Sequence, residues 1–135
     1  MAASSKLPLV REYMATRLLT LAPGTDIHEA VEFFLGHKIS GAPVVDPTGA
    51  LVGVMSEKDC LKLLASGESH QRPRGQVEDF MTRDVATVPS SMDIYFVAGL
   101  FLKNVYRRFP VVDQGRLVGQ ISRRDVLKAI SERLR

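Results

Sequence analysis

The sequence predicts an α+β protein: two tandem β-α-β-β-α units related by an approximate twofold axis, with sheets packed together and helices outside. Three observations lead there. The chain repeats itself, each copy carries an apolar stripe at helical spacing, and each stripe is followed by the pattern of a two-stranded hairpin.

The repeat comes first because a missed duplication misassigns the whole fold. Shifted by 67 residues, Val10 and Met14 fall on Val77 and Met81, Thr20 on Thr87, and Asp26-Ile27 on Asp93-Ile94. Phe34-Leu35 falls on Phe101-Leu102, and Pro43–Asp46 on Pro110–Asp113. After a one-residue deletion in the following turn, Leu51-Val52-Gly53 meets Leu117-Val118-Gly119, Ser56 meets Ser122, and Asp59 meets Asp125. The aligned pairs 10–46/77–113 and 51–62/117–128 hold 18 identities in 49. Unrelated sequences of ordinary composition would share on the order of three.

Each copy opens with an extended stretch containing Thr20 or Thr87. A helix follows Thr25-Asp26 or Met92-Asp93, since Ile27, Ala30, Val31, Phe34 and Leu35 form one apolar stripe, matched by Ile94, Val97, Ala98, Phe101 and Leu102. Next come the hairpins, 42–46 with 51–55 and 109–113 with 117–121, turning at Pro47-Thr48-Gly49 and at Gln114-Gly115. Closing helices are expected over about 57–65 and 123–134, the latter with Val126, Leu127, Ile130 and Leu134 on one face. The domain organisation is therefore a first repeat with its N-terminal segment over 1–65, a polar connection over 66–76, and a second repeat over 77–135. A repeat this short is near the lower limit for burying enough surface alone, so the two are expected to form one module.

Composition narrows the function. The chain has 135 residues, 45% hydrophobic and 24% charged, one domain's worth of sequence. Its apolar residues are interspersed, so no segment is expected to span a bilayer, and MAASSKLPLVREYM has no signal-peptide core. A single cysteine, Cys60, excludes an internal disulfide and fits a reducing, cytoplasmic setting; its alignment with Val126 makes it a core-like thiol rather than a nucleophile. Net charge is +3, too mild for a general nucleic-acid binder. The excess lies entirely after residue 76, largely in Arg107-Arg108 and Arg123-Arg124. His28, His37 and His70 have no metal-ligand spacing, and no nucleophile elbow or phosphate-cradling Gly-Lys loop is present, so neither a metal, a catalytic cofactor nor an enzyme activity is expected.

Gly53-x-x-Ser56-x-x-Asp59 and Gly119-x-x-Ser122-x-x-Asp125 sit where a strand gives way to a helix. Ser followed three residues later by an acid is a capping box, which accounts for both residues without any ligand. A second reading is open: the helix N-terminus and Ser hydroxyl favour a phosphate, and the carboxylate can accept from two ribose hydroxyls.

These elements, in order and in duplicate, resemble the CBS-domain pair, or Bateman module, over about residues 8–132. The residues that carry the resemblance are Met14-Ala15-Thr16 and Met81-Thr82-Arg83, the Thr20 and Thr87 segments, both Pro-Val-Val-Asp strands, and both Gly-x-x-Ser-x-x-Asp runs. The resemblance implies a non-enzymatic regulatory module that binds an adenine nucleotide or adenosyl ligand in clefts between the repeats and forms a disc-shaped dimer. AMP or ATP heads the expected ligands, with ADP beside them and S-adenosylmethionine or a cyclic dinucleotide next.

On that footing Thr20 and Thr87 would lie against the adenine, Ile39 and Tyr106 would flank it, and Ser40, Gly41, Pro43 and Pro110 would line the approach. Ser56, Asp59, Ser122 and Asp125 would hold ribose and phosphate, and Arg108, with Arg107 beside it, would take phosphate. Arg123 and Arg124 are expected to face water or add positive potential. The arginines are expected to make the two clefts unequal in affinity for anions, with occupancy of one cleft or of both left open. A second apolar face on the helix after Asp93, formed by Tyr95, Phe96, Gly99 and Leu100, is far more polar in the first copy and marks an expected homodimer contact. The leading expectation is a nucleotide sensor that signals to a separate regulated protein. The rivals are a ligand-free assembly module and, on weaker grounds, direct nucleic-acid binding.

Overall fold

The computed structural model describes residues 7–65 and 74–134. His70 and most of the expected connection lie outside them. Ten elements follow in order: α1 (Val10–Tyr13), α2 (Ile27–His37), β1 (Gly41–Val45), β2 (Leu51–Ser56), α3 (Glu57–Ala65), α4 (Val77–Phe80), α5 (Ile94–Lys103), β3 (Arg108–Asp113), β4 (Arg116–Ser122) and α6 (Arg123–Arg133). Both hairpins and all four long helices fall within a residue or two of the expected ranges. α1 and α4 are single helical turns, too short to leave a periodic signature.

The residues form two compact units. The first runs from Leu19 to Val85; the second joins the described residues up to Leu18 with those from Ala86 onward. In the first, β1 and β2 pair antiparallel, with Gly41 opposite Ser56 and a bulge between Val44 and Val45. The expected leading strand contributes one paired residue: Leu21 bridges Val44 in parallel, its N–H donating to the Pro43 carbonyl at 2.9 Å. On the other edge Val54 and Thr82 exchange two backbone hydrogen bonds of 2.9 Å. The second unit repeats this pattern, with Val88 beside Val111 and Ala15 beside Gln120. Gln114 and Gly115, at φ 52° and 79°, supply the left-handed pair that a two-residue hairpin turn requires.

Packing thus divides the chain differently from the repeat. Val10, fully buried, belongs to the core of Val88, Ile94, Val97, Val111 and Ile121, residues of the second repeat. Val77 in turn completes the core of Ile27, Ala30, Val44 and Met55. Each such side chain is worth about 1.5–3 kcal/mol when withdrawn from water. The N–H of Val10 donates to the Met92 carbonyl at 2.8 Å, as that of Val77 donates to Thr25 at the same distance.

α2 and α5 are capped by Asp26 and Asp93, whose carboxylates accept from the N–H groups of His28 and Phe96. Their stripes are narrower than the sequence suggests. Leu35 and Leu102 are exposed, because a residue eight positions on has turned about 80° from the first and passes the edge of the contact. In α6, Val126 and Ala129 are buried while Leu127 and Leu134 are exposed, so those four expected positions do not share one buried face. Among the described residues no helix is long and apolar enough to cross a membrane.

Candidate functional site

The site residues gather, in each unit, where a hairpin meets the N-terminus of its closing helix. In the second unit Arg108 lies opposite Ser122 across β3 and β4, and the Arg123 N–H donates to the Arg107 carbonyl at 3.3 Å. Thr87 is exposed beside Val88, whose N–H donates to the Pro110 carbonyl at 3.1 Å. Tyr106, half-exposed, sets its ring edge-on to Phe109 at 5.6 Å. In the first unit the Glu57 N–H donates to the Ser40 carbonyl at 2.9 Å, and Thr20 is exposed beside Leu21. Ile39 packs partly against the core, so only part of its side chain faces outward. Pro43 and Pro110 are buried.

Both Ser-x-x-Asp runs close the capping box. The Asp59 carboxylate accepts from the Ser56 N–H at 2.9 Å and its hydroxyl at 3.0 Å, while the Ser56 hydroxyl accepts from the Asp59 N–H at 3.2 Å. Ser122 and Asp125 repeat all three distances. One oxygen, Oδ2, serves both bonds in each case. The copies differ at the other. Asp59 is only 4% exposed, and its Oδ1 meets the Lys62 ammonium at 3.8 Å. Asp125 is less buried, and among the described residues its Oδ1 has no hydrogen-bond or ion-pair partner. The alignment of Lys62 with Lys128 hides this difference.

Charge separates the copies further. Arg107, Arg108, Arg123 and Arg124 are all exposed, and among the described residues none forms an ion pair. The aligned positions in the first repeat hold Ser40, Gly41, Glu57 and Lys58.

Outside these clusters, Cys60 is half-buried rather than fully enclosed, and burial followed by Asp59 and Glu57 pushes its thiol pKa up, away from nucleophilic use. Among the described residues no three His, Cys, Asp or Glu side chains converge as a metal site would need. Tyr95 and Phe96 are exposed, Gly99 and Leu100 partly so, and a methyl added at Gly99 would meet open space.

The glycines of the two motifs have a role that motif reading missed. A Cβ at Gly119 would lie 2.5 Å from the Met14 sulfur and 2.9 Å from the Ala15 carbonyl oxygen; at Gly53 the corresponding distances, to Met81 and Thr82, are 2.7 and 2.9 Å. They admit the incoming edge segment. The alignment of Met14 with Met81 was the available signal.

The profile of the CBS domain matches residues 10–66 and 77–132, and the chain belongs to that family. It is 35% identical over 121 residues to the MJ1225 protein of Methanocaldococcus jannaschii, covering 90% of this chain but only 42% of that longer protein. Among solved structures, CBSX2 of Arabidopsis thaliana in complex with AMP is similar at TM-score 0.80 and 33% identity, over 95% of this chain and 99% of that one. The CBS domain pair of MJ0100, in complex with 5′-methylthioadenosine and S-adenosyl-L-methionine, is similar at TM-score 0.74 and 28% identity, over 94% and 98%.

Proposed function

We propose that this protein is a regulatory rather than catalytic module that binds an adenosine-bearing ligand, AMP or ATP before S-adenosylmethionine, and passes its occupancy to a separate protein. The observation that carries the reading is the meeting of Arg107, Arg108, Ser122 and Asp125 at one end of the β3–β4 hairpin, where α6 begins. Helix N–H groups and guanidinium forks there suit phosphate. The free oxygen of Asp125 suits the hydroxyls of a ribose, which need an acceptor. The AMP held by CBSX2 and the adenosyl ligands held by MJ0100 support the same ligand class.

Signalling follows if two arrangements of the protein differ in affinity, since a ligand shifts an equilibrium only by its preference for one state. The exposed Tyr95–Phe96 face of α5 supports a homodimer as the body that changes. Calorimetric titration with AMP, ADP, ATP and S-adenosylmethionine tests the reading. Micromolar-range binding of at least one is expected, weakened by Asp125→Ala and Arg108→Ala. A ligand-free assembly module is the second reading, favoured by the closed capping boxes, which explain the serines and aspartates without any nucleotide. Saturable binding to none of the four compounds decides for it.

A further inference from the structure

We infer that Met14 is a site of reversible oxidation: conversion of its thioether to the sulfoxide by a peroxide releases the edge segment at Ala15 from β4. A Cβ at Gly119 would meet the Met14 sulfur at 2.5 Å, its Cγ at 2.9 Å and the Ala15 carbonyl oxygen at 2.9 Å. The thioether therefore takes the room that a Cβ fills at any other residue. Beside it, Ala15 and Gln120 exchange backbone hydrogen bonds of 2.9 and 3.0 Å, which tie the segment to the strand.

An apolar, polarisable thioether suits such a seat. Its sulfoxide does not. One peroxide oxygen bonds to the sulfur as the O–O bond breaks, its proton passes to the other oxygen, and that oxygen leaves as water. Sulfur gives up two electrons and the peroxide takes them. The product is bulkier and polar, where the unoxidised side chain packs against the core of Val10, Val111 and Ile121. The new oxygen is also an acceptor, and the Ala15 carbonyl that crowds the same point is another, so water is the better surrounding for it.

Exposure separates Met14 from its counterpart. Met55 is fully buried, and Met81, which holds the matching place against Gly53, is only 9% exposed; Met14 keeps part of its surface in water. Met92 is partly exposed as well and serves as the control. Release is local. Val10 remains in its core and the Tyr13 hydroxyl still donates to Glu132 at 2.7 Å, so α1 stays docked while the pairing at Ala15 opens.

The test treats the full chain with dilute hydrogen peroxide, locates the added oxygen by peptide-mapping mass spectrometry, and follows amide hydrogen exchange by NMR. Met14 should gain oxygen faster than Met81. Exchange at Ala15 and Gln120 should then rise about tenfold, the factor that one backbone hydrogen bond is worth. Val54 and Thr82, which make the matching pair in the other unit, should keep their rates. Methionine sulfoxide reductase should restore the original exchange. Met14→Leu keeps the bulk without the sulfur and should leave Gln120 indifferent to peroxide, whereas Met92→Leu should respond as the unaltered protein does.

Oxidation of Met81 before Met14 overturns the inference, as does unchanged exchange at Gln120 in protein oxidised at Met14. A Met14→Leu protein that still responds at Gln120 overturns it too. So does an equal rise at Val54 and Thr82, which would report a general loosening in place of a local release.

Discussion

Two glycines show how closely single residues govern this fold. At Gly119 a methyl group would press on the Met14 sulfur, which can move, and on the Ala15 carbonyl, which is held by its hydrogen bond to Gln120. Overpacking of this kind costs about 1–3 kcal/mol. Gly119→Ala and Gly53→Ala should each lower the urea midpoint accordingly, and Met14→Ala should rescue Gly119→Ala only in part. Asp113 offers a pH-dependent case. The Ser90 hydroxyl at 2.6 Å and N–H at 2.9 Å both donate to it, and those bonds, the hydroxyl's first, hold its pKa below the ordinary carboxylate range. An unfolded Asp, titrating near about 3.9, takes up its proton at higher pH than the folded one. The stabilisation is therefore fully present above that value and is lost as pH falls through the lower, folded pKa. Ser90→Ala should flatten the acid side of the stability profile, measured by thermal melts from neutral pH downward. Nothing in the repeat foretells this pair, because the aligned residue is Pro23, and Asp46 instead accepts from the Thr48 hydroxyl in its own turn.

Among the elements, α5 carries more apolar surface than one compact unit can cover. Ile94, Val97 and Phe101 point into the core, while Tyr95 and Phe96 are 49% and 59% exposed. The homodimer proposed above would bury the latter against a second copy. Phe96→Glu should give a monomer in sedimentation-velocity ultracentrifugation, and an unchanged dimer would refute the assigned face. The helix and its buried face are legible from periodicity alone, whereas Leu100, expected on the outward face, packs partly against the core. The exposure of Leu102, at 89%, is not, because an apolar residue at the margin of a stripe is equally compatible with contact and with water. α1 and α4 escaped periodicity altogether. What fixes them is tertiary: Val10 and Val77 are anchored in cores built from distant sequence.

For the whole molecule, the question is which stretch of chain folds as a unit. The repeat suggests cutting near residue 66; the packing says that Val77, Met81 and Thr82 complete the hairpin of the first repeat. A fragment of residues 19–85 should therefore unfold more cooperatively and at higher urea than a fragment of residues 1–65, which lacks those residues and leaves the β2 edge unpaired. Equal stability of the two would show that the borrowed segment contributes little.

By itself the sequence determined the duplication, the long helices, the hairpins and the Ser-x-x-Asp boxes at the closing helices, since these depend on local periodicity and on turn and capping chemistry. It also placed the excess charge in the second half. Only the tertiary structure decided that the Arg107 backbone meets that of Arg123, that Asp59 is shut against Lys62 while Asp125 keeps an open oxygen, and that each hairpin is completed by a segment from the start of the other repeat. Those outcomes depend on which surfaces come together through space, and two copies with the same local pattern can bury the same aspartate to different depths.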